Sequence, residues 1–200
     1  MNLPNKLTTL RIGLTGLFLV AALWHHPERN PVNDTIALAL FIVAGITDIL
    51  DGRIARSRGL VTDFGKLMDP LADKLLICSA FIAMTARGNI EAWMVIIVVA
   101  RELAITGLRA LAASKNVVLA AEAHGKHKTV TQIVAICAML VMDCHGEWGA
   151  WSQWFFNLEL FGMPWGRGFT ELAKGGAVLF TLFSGATYMW RNRGIYLKDM

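Results

Sequence analysis

Asp48, Asp51, Gly52, Ala55 and Arg56 follow one another at the i, i+3, i+4, i+7, i+8 spacing of a single helical face, and Gly65, Asp69 and Asp73 mark a second such face shortly afterwards. At about 100° per residue, Asp48 and Asp51 stand roughly 60° apart on the first helix, and Asp69 and Asp73 roughly 40° apart on the second. A hairpin of the two turns four carboxylates towards one another. Bare neighbouring carboxylates repel and are costly inside a membrane, so a compensating charge is required, and two divalent cations bound by hard oxygen ligands supply it. Such a pair suits clamping a pyrophosphate and stabilising the attacking and leaving oxygens of phosphoryl transfer. Gly52 and Ala55 let a ligand approach the helix backbone, and Arg56, one turn on, pairs with a phosphate through its planar fork. Close helix packing explains the two small residues equally well, but leaves four aspartates without a role.

The elements that must position these groups are membrane helices. Of the 200 residues 55% are hydrophobic and only 17% charged, and the mean hydropathy is positive. This composition describes an all-α, polytopic membrane protein, a single domain over 1–200. Six spans are expected, near 8–24, 35–57, 69–86, 90–113, 125–143 and 170–190, each close to the ~20 residues that cross a ~30 Å hydrocarbon layer. The first is read as a retained helix rather than a cleaved signal, because Arg11 interrupts its apolar stretch and no small-residue cleavage site precedes the charged turn at 25–34. Thirteen uncharged residues, 35–47, precede Asp48. They rise about 20 Å, which puts Asp48 inside the membrane near its cytosolic third. Gly59 and Gly65 mark the turn that follows, and Asp69 with Pro70 is expected to open the third helix.

Basic residues set the orientation. Lys6, Arg11, Arg53, Arg56, Arg58, Lys66, Arg109, Lys115, Lys126, Lys128, Arg191, Arg193 and Lys198 fall on one side, against Arg29, Arg87, Arg167 and Lys174 on the other. Both termini and the carboxylate hairpin therefore face the cytosol, in the inner (cytoplasmic) membrane. The net charge of +4 reflects topology and contact with anionic lipid, not nucleic-acid binding.

Within helix four, Arg101 and Glu102 sit deep in an apolar run, with Arg109 two turns nearer the cytosol. Glu102 and Arg109 are seven apart on one face, so an ion pair between them is one reading. Lys126, His127, Lys128, Thr129 and Gln132 open helix five. That cluster reads as ordinary cytosolic decoration, yet embedded Arg101 requires a partner or a watery cavity. At the chain start Asn5, Thr8 and Arg11 share a polar edge, which either meets headgroups or turns inward. Cys78, Cys137 and Cys144 lack metal-ligand spacing and read as small apolar fillers, and the five histidines are dispersed. Trp148, Trp151, Trp154 and Trp165 with Phe155, Phe156 and Phe161 describe a short amphipathic segment on the outer surface.

The run Asp48-x-x-Asp51-Gly52-x-x-Ala55-Arg56, continued by Gly65, Asp69 and Asp73, resembles the signature of the CDP-alcohol phosphotransferase family at all eight positions. The stretches Asn2 to Thr8 with Arg11, Arg101-Glu102 through Arg109, and Gly125 to Thr129 with Gln132 are similar to those of members whose acceptor is sn-glycerol 3-phosphate. The resemblance implies six membrane helices around a cytosol-facing polar cavity, usually in a homodimer. It also implies two divalent cations, magnesium or else manganese, and transfer of the phosphatidyl group of CDP-diacylglycerol to an alcohol with CMP as leaving group. By position, Asp48, Asp51 and Asp69 would hold the metals, and Asp73 would complete the second site and act as general base. Asn5, Thr8, Asp48, Gly52, Ala55, Arg56 and Gly65 would line the CDP moiety. Whether acceptor oxygen attacks directly or through a phosphatidyl-aspartate stays open.

A dianionic acceptor phosphate needs several cations, which Arg101, Arg109, Lys126 and Lys128 supply. Serine would not explain so many, whereas inositol phosphate would, and stands as the alternative acceptor. Two readings from other classes are an ion or solute transporter, which has no need for the glycine, alanine and arginine positions, and a silent scaffold, which leaves four costly acids without purpose.

Overall fold

The computed structural model describes residues 3–24, 30–58, 63–115, 117, 119, 124–160 and 162–196, with side chains at 3–7, 48–58, 63–67, 69, 70, 73 and 124–126 outside that description. The described chain is almost wholly helical: α1 Leu3–Leu23, α2 Pro31–Arg58, α3 Asp63–Ala86, α4 Ala92–Ser114, α5 His124–Cys144, α6 Ala150–Phe156, α7 Trp165–Arg191 and α8 Arg193–Tyr196, with a 3-10 turn His145–Trp148. Six of these are long, and they coincide with the six expected spans. Among the described residues, one stretch, His127–Trp148, is long and apolar enough by length and composition to cross a membrane, and Thr8–Leu23, Pro31–Thr47 and Lys74–Ala86 are shorter apolar stretches.

Local chemistry sets several boundaries. Asn30 caps α2, its Oδ1 accepting from the Val32 amide at 3.1 Å, and Pro31 fills the first helical position where no donor is needed. The α3 terminus closes with Gly88 at φ 74°. The Gly88 amide donates to Thr85 O at 3.0 Å and the Asn89 amide to Met84 O at 2.9 Å, a Schellman closure that requires the left-handed residue. The start of α3 corrects the expectation: the helix opens at Asp63, not at Asp69 and Pro70, so Gly65 lies on the helix and not in the turn. Helix formers Leu67 and Met68 carry the helix through, and Pro70 leaves the Lys66 carbonyl without its intrahelical donor.

Helix α1 packs against both α2 and α3, and α7 against α4 and α5. Phe18, Phe41, Phe81, Met84, Ile136, Met139 and Leu140 fill the core, and Ala37, Ala44, Ala80 and Ala135 let backbones approach. At one end of the bundle, buried Arg87 bridges Asp34 of α2 at 2.7 Å and Asp143 of α5 at 2.9 Å, and donates to the Ala22 carbonyl of α1 at 3.1 Å. Burial works against its charge, but the hydrogen bond to Asp34 and the attraction of both carboxylates outweigh this and raise its pKa above the ordinary arginine value. Asn89 donates to Asp143, and Lys174 of α7 donates to the Asn89 carbonyl at 3.0 Å. Four long helices and the α3 turn thus meet in one polar knot.

A small departure from an all-helical chain follows α6. Glu159–Leu160 (β1) pairs antiparallel with Met163–Pro164 (β2), and Gly162 at φ 80° makes the tight reversal. The aromatic segment folds on itself: Trp151 stacks on Phe155 at 5.3 Å, Phe155 meets Trp165 edge-on at 5.0 Å, and Trp148, Trp151 and Trp154 remain exposed.

Candidate active site

The sequence places Asp48, Asp51, Gly52, Ala55 and Arg56 on the second half of α2, and Gly65, Asp69 and Asp73 on the first half of α3. Their side chains, with those of Asn5 and Lys126, lie outside the described residues. Lys74, next to Asp73, donates to Thr106 Oγ1 of α4, and that hydroxyl donates to the Glu102 carbonyl at 2.6 Å. The aspartate-bearing helix α3 is thereby set against the middle of α4, where the embedded charges are.

Those charges do not pair as the seven-residue spacing suggested. Glu102, 6% exposed, accepts from Lys128 of α5 and from Arg101 Nη1 at 3.2 Å. Arg109 instead turns to α7, its Nε donating to Tyr188 Oη at 3.2 Å with the guanidinium 5.6 Å from the ring centre. The reason is tertiary: Lys128 of α5 and Tyr188 of α7 reach the side chains of α4, so Glu102 and Arg109, two turns apart, each find a partner on another helix. Lys128 is buried, which no simple cytosolic decoration requires. Arg101 completes its contacts by donating from Nη2 to Ser184 Oγ of α7 at 3.3 Å.

Thr8 and Arg11 are each 1% exposed, so their edge of α1 turns into the bundle and not towards headgroups. Gln132 is fully buried and donates to Thr181 Oγ1 of α7 at 2.9 Å. Glu102, Thr181, Ser184 and Tyr188 were not singled out from the sequence as site residues. For the α7 set the available signal was the i, i+3, i+7 recurrence of hydroxyls at 181, 184 and 188 in the uncharged half of the helix, 175–190. Among the described residues Arg101 and Lys128 thus share the Glu102 carboxylate, while Arg109 is held by a neutral hydroxyl, an arrangement of cations suited to a multiply charged anion.

A model of the CDP-alcohol phosphatidyltransferase family matches residues 1–165. The chain belongs to the CDP-alcohol phosphatidyltransferase family. Over 199 residues it is 40% identical to the CDP-diacylglycerol–glycerol-3-phosphate 3-phosphatidyltransferase of Bacillus subtilis (strain 168), covering 96% of this chain and 95% of the relative. It is 36% identical over 166 residues to the protein of the same name from Rickettsia felis, covering 78% of this chain and 90% of the relative. As a CDP-alcohol phosphatidyltransferase, the chain carries its signature aspartates on α2 and α3, a buried carboxylate, Glu102, between two arginines on α4, and a buried cation, Lys128, on α5. The family match ends at the first residue of α7.

Proposed function

We propose that the chain transfers the phosphatidyl group of CDP-diacylglycerol to sn-glycerol 3-phosphate, giving phosphatidylglycerophosphate and CMP. The observation that carries this reading is the near full-length similarity to a relative named for that reaction, in a chain that retains all eight signature positions. The cationic cluster around Glu102 supports a phosphate-bearing acceptor. A mass spectrum of the lipid product tests it: one phosphate beyond the diacylglycerol phosphate, carried on glycerol, is expected. A product bearing inositol phosphate or serine under the same conditions overturns the acceptor assignment.

The donor set fits divalent cations, since four carboxylates at helical spacing offer only hard oxygen ligands. Asp48, Asp51, Asp69 and Asp73 would hold two, magnesium or manganese, and when bound these supply Lewis-acid neutralisation of the pyrophosphate. The protein does the rest. Gly52, Ala55 and Gly65 leave room for the CDP group beside the helix backbones, Arg56 pairs with its phosphates, and Asn5 and Thr8 complete that subsite. Arg101, Arg109, Lys126 and Lys128 hold the acceptor phosphate. Asp73 accepts the proton of the acceptor hydroxyl as its oxygen bonds to the phosphorus bearing diacylglycerol, and the bond to CMP breaks with its electron pair remaining on the CMP phosphate.

The six long helices are read as membrane spans. Each exposes large apolar side chains, among them Leu17 of α1, Ile42 of α2, Ile82 of α3, Ile96 of α4, Val130 of α5 and Leu172 of α7, while charged groups such as Arg11, Glu102 and Lys128 are inside. Lipid is the solvent that suits this inversion. The positive-inside bias then puts the termini and the site on the cytosolic side of the inner membrane, with the aromatic segment at the outer interface. The working unit is read as a homodimer, which crosslinking in native membranes would detect.

A further inference from the structure

Thr181, Ser184, Gly185 and Tyr188 lie at i, i+3, i+4 and i+7 of α7 and are all buried. Each meets a polar side chain from another helix. Thr181 accepts from Gln132, Ser184 from Arg101 and Tyr188 from Arg109. Gly185 leaves space: a Cβ there would stand 2.8 Å from Arg101 Cγ, closer than such atoms approach, and Cγ is too near the root of the side chain to swing away easily. The partners that α7 offers to the two arginines are neutral hydroxyls, so these contacts fix the guanidinium groups without adding a counter-charge, although Arg101 also shares the Glu102 carboxylate. Tyr188 in particular takes Arg109 by Nε, which leaves both terminal nitrogens for an oxyanion fork.

We propose that this stripe of α7 is the positioning element of the acceptor site, in which Tyr188 holds Arg109, and Ser184 with Gly185 seats Arg101, to receive the phosphate of the acceptor. The inference rests on the reading of Arg101 and Arg109 as acceptor-phosphate ligands. It goes beyond the family match, which ends where α7 begins. Tyr188, Ser184 and Gly185 are positioning residues: they act through the arginines.

The test is steady-state kinetics with both substrates varied, on the purified full chain in detergent with thermal unfolding followed in parallel. Tyr188→Phe keeps the ring and removes only the hydroxyl. It is expected to raise the apparent KM for glycerol 3-phosphate on the order of tenfold, the scale of a hydrogen bond to a charged group, with the KM for CDP-diacylglycerol unchanged. In an Arg109→Ala background the same substitution is expected to have no further effect on that KM, since Tyr188 acts through the missing side chain. Gly185→Ala is expected to raise the acceptor KM in the same selective way. If Arg109→Ala raises the acceptor KM and Tyr188→Phe does not, the role of α7 is overturned while the acceptor site stands. If Tyr188→Phe shifts both substrates equally, or adds fully to Arg109→Ala, it is a packing residue and the inference is likewise overturned. If Arg109→Ala leaves the acceptor KM unchanged, the placement of the acceptor site itself is wrong.

Discussion

Lys128 of α5 and Glu102 of α4 form a buried ion pair across the helix interface, and Arg101 shares the same carboxylate. A single acid thus orders two cations from two helices. Glu102→Gln removes the negative charge that both cations share, and removing one partner of a buried pair typically costs about 3 to 5 kcal/mol. A lower unfolding temperature in detergent and a loss of acceptor affinity are expected together. An unchanged unfolding temperature would mean that the pair contributes nothing to holding α4 and α5.

Arg87 anchors the opposite end of the bundle. Arg87→Ala would remove the cation that bridges the buried carboxylates of Asp34 and Asp143, with a cost of the same order, about 3 to 5 kcal/mol. Thermal unfolding should show the loss, partly restored by Arg87→Lys, while the KM values for both substrates in the surviving folded fraction stay as they were. A selective change in either KM would connect this knot to the site.

Asp73 is assigned the proton of the acceptor hydroxyl. Asp73→Asn is expected to lower turnover by at least about 10²-fold while CDP-diacylglycerol still binds, measured as CMP release and as equilibrium binding of the donor lipid. Residual turnover within a few-fold of the unsubstituted protein would remove the general-base role.

Direct displacement inverts the configuration at the transferred phosphorus, whereas a phosphatidyl-aspartate formed and then consumed retains it. The in-line attack proposed here predicts inversion with a donor made chiral at that phosphorus. Retention would require the two-step route.

Much of this architecture was legible in the residues themselves. The six long helices fall on the expected runs because hydropathy over some twenty residues is a strong, local signal. The start of α3 differs from the expectation because Pro70 suits the first position of a helix, yet the helix formers before it extend the helix back to Asp63. Glu102 and Arg109 were read as sharing a face on one helix, but their partners come from α5 and α7, which only the packing of distant segments supplies. Arg87 read as one of a few basic residues in an outer turn for the same reason: nothing near it in sequence announces Asp34 or Asp143. Thr181, Ser184 and Tyr188 carry ordinary hydroxyls, and their meaning lies wholly in the arginines and glutamine that reach them.

The most direct measurement is CMP release by the purified protein, with donor lipid, acceptor and divalent ion each omitted in turn. CMP is expected when CDP-diacylglycerol, sn-glycerol 3-phosphate and magnesium are present together, and not after chelation until the ion is restored. Release at the same rate without glycerol 3-phosphate or after complete chelation, or no release with all three present, would contradict the account.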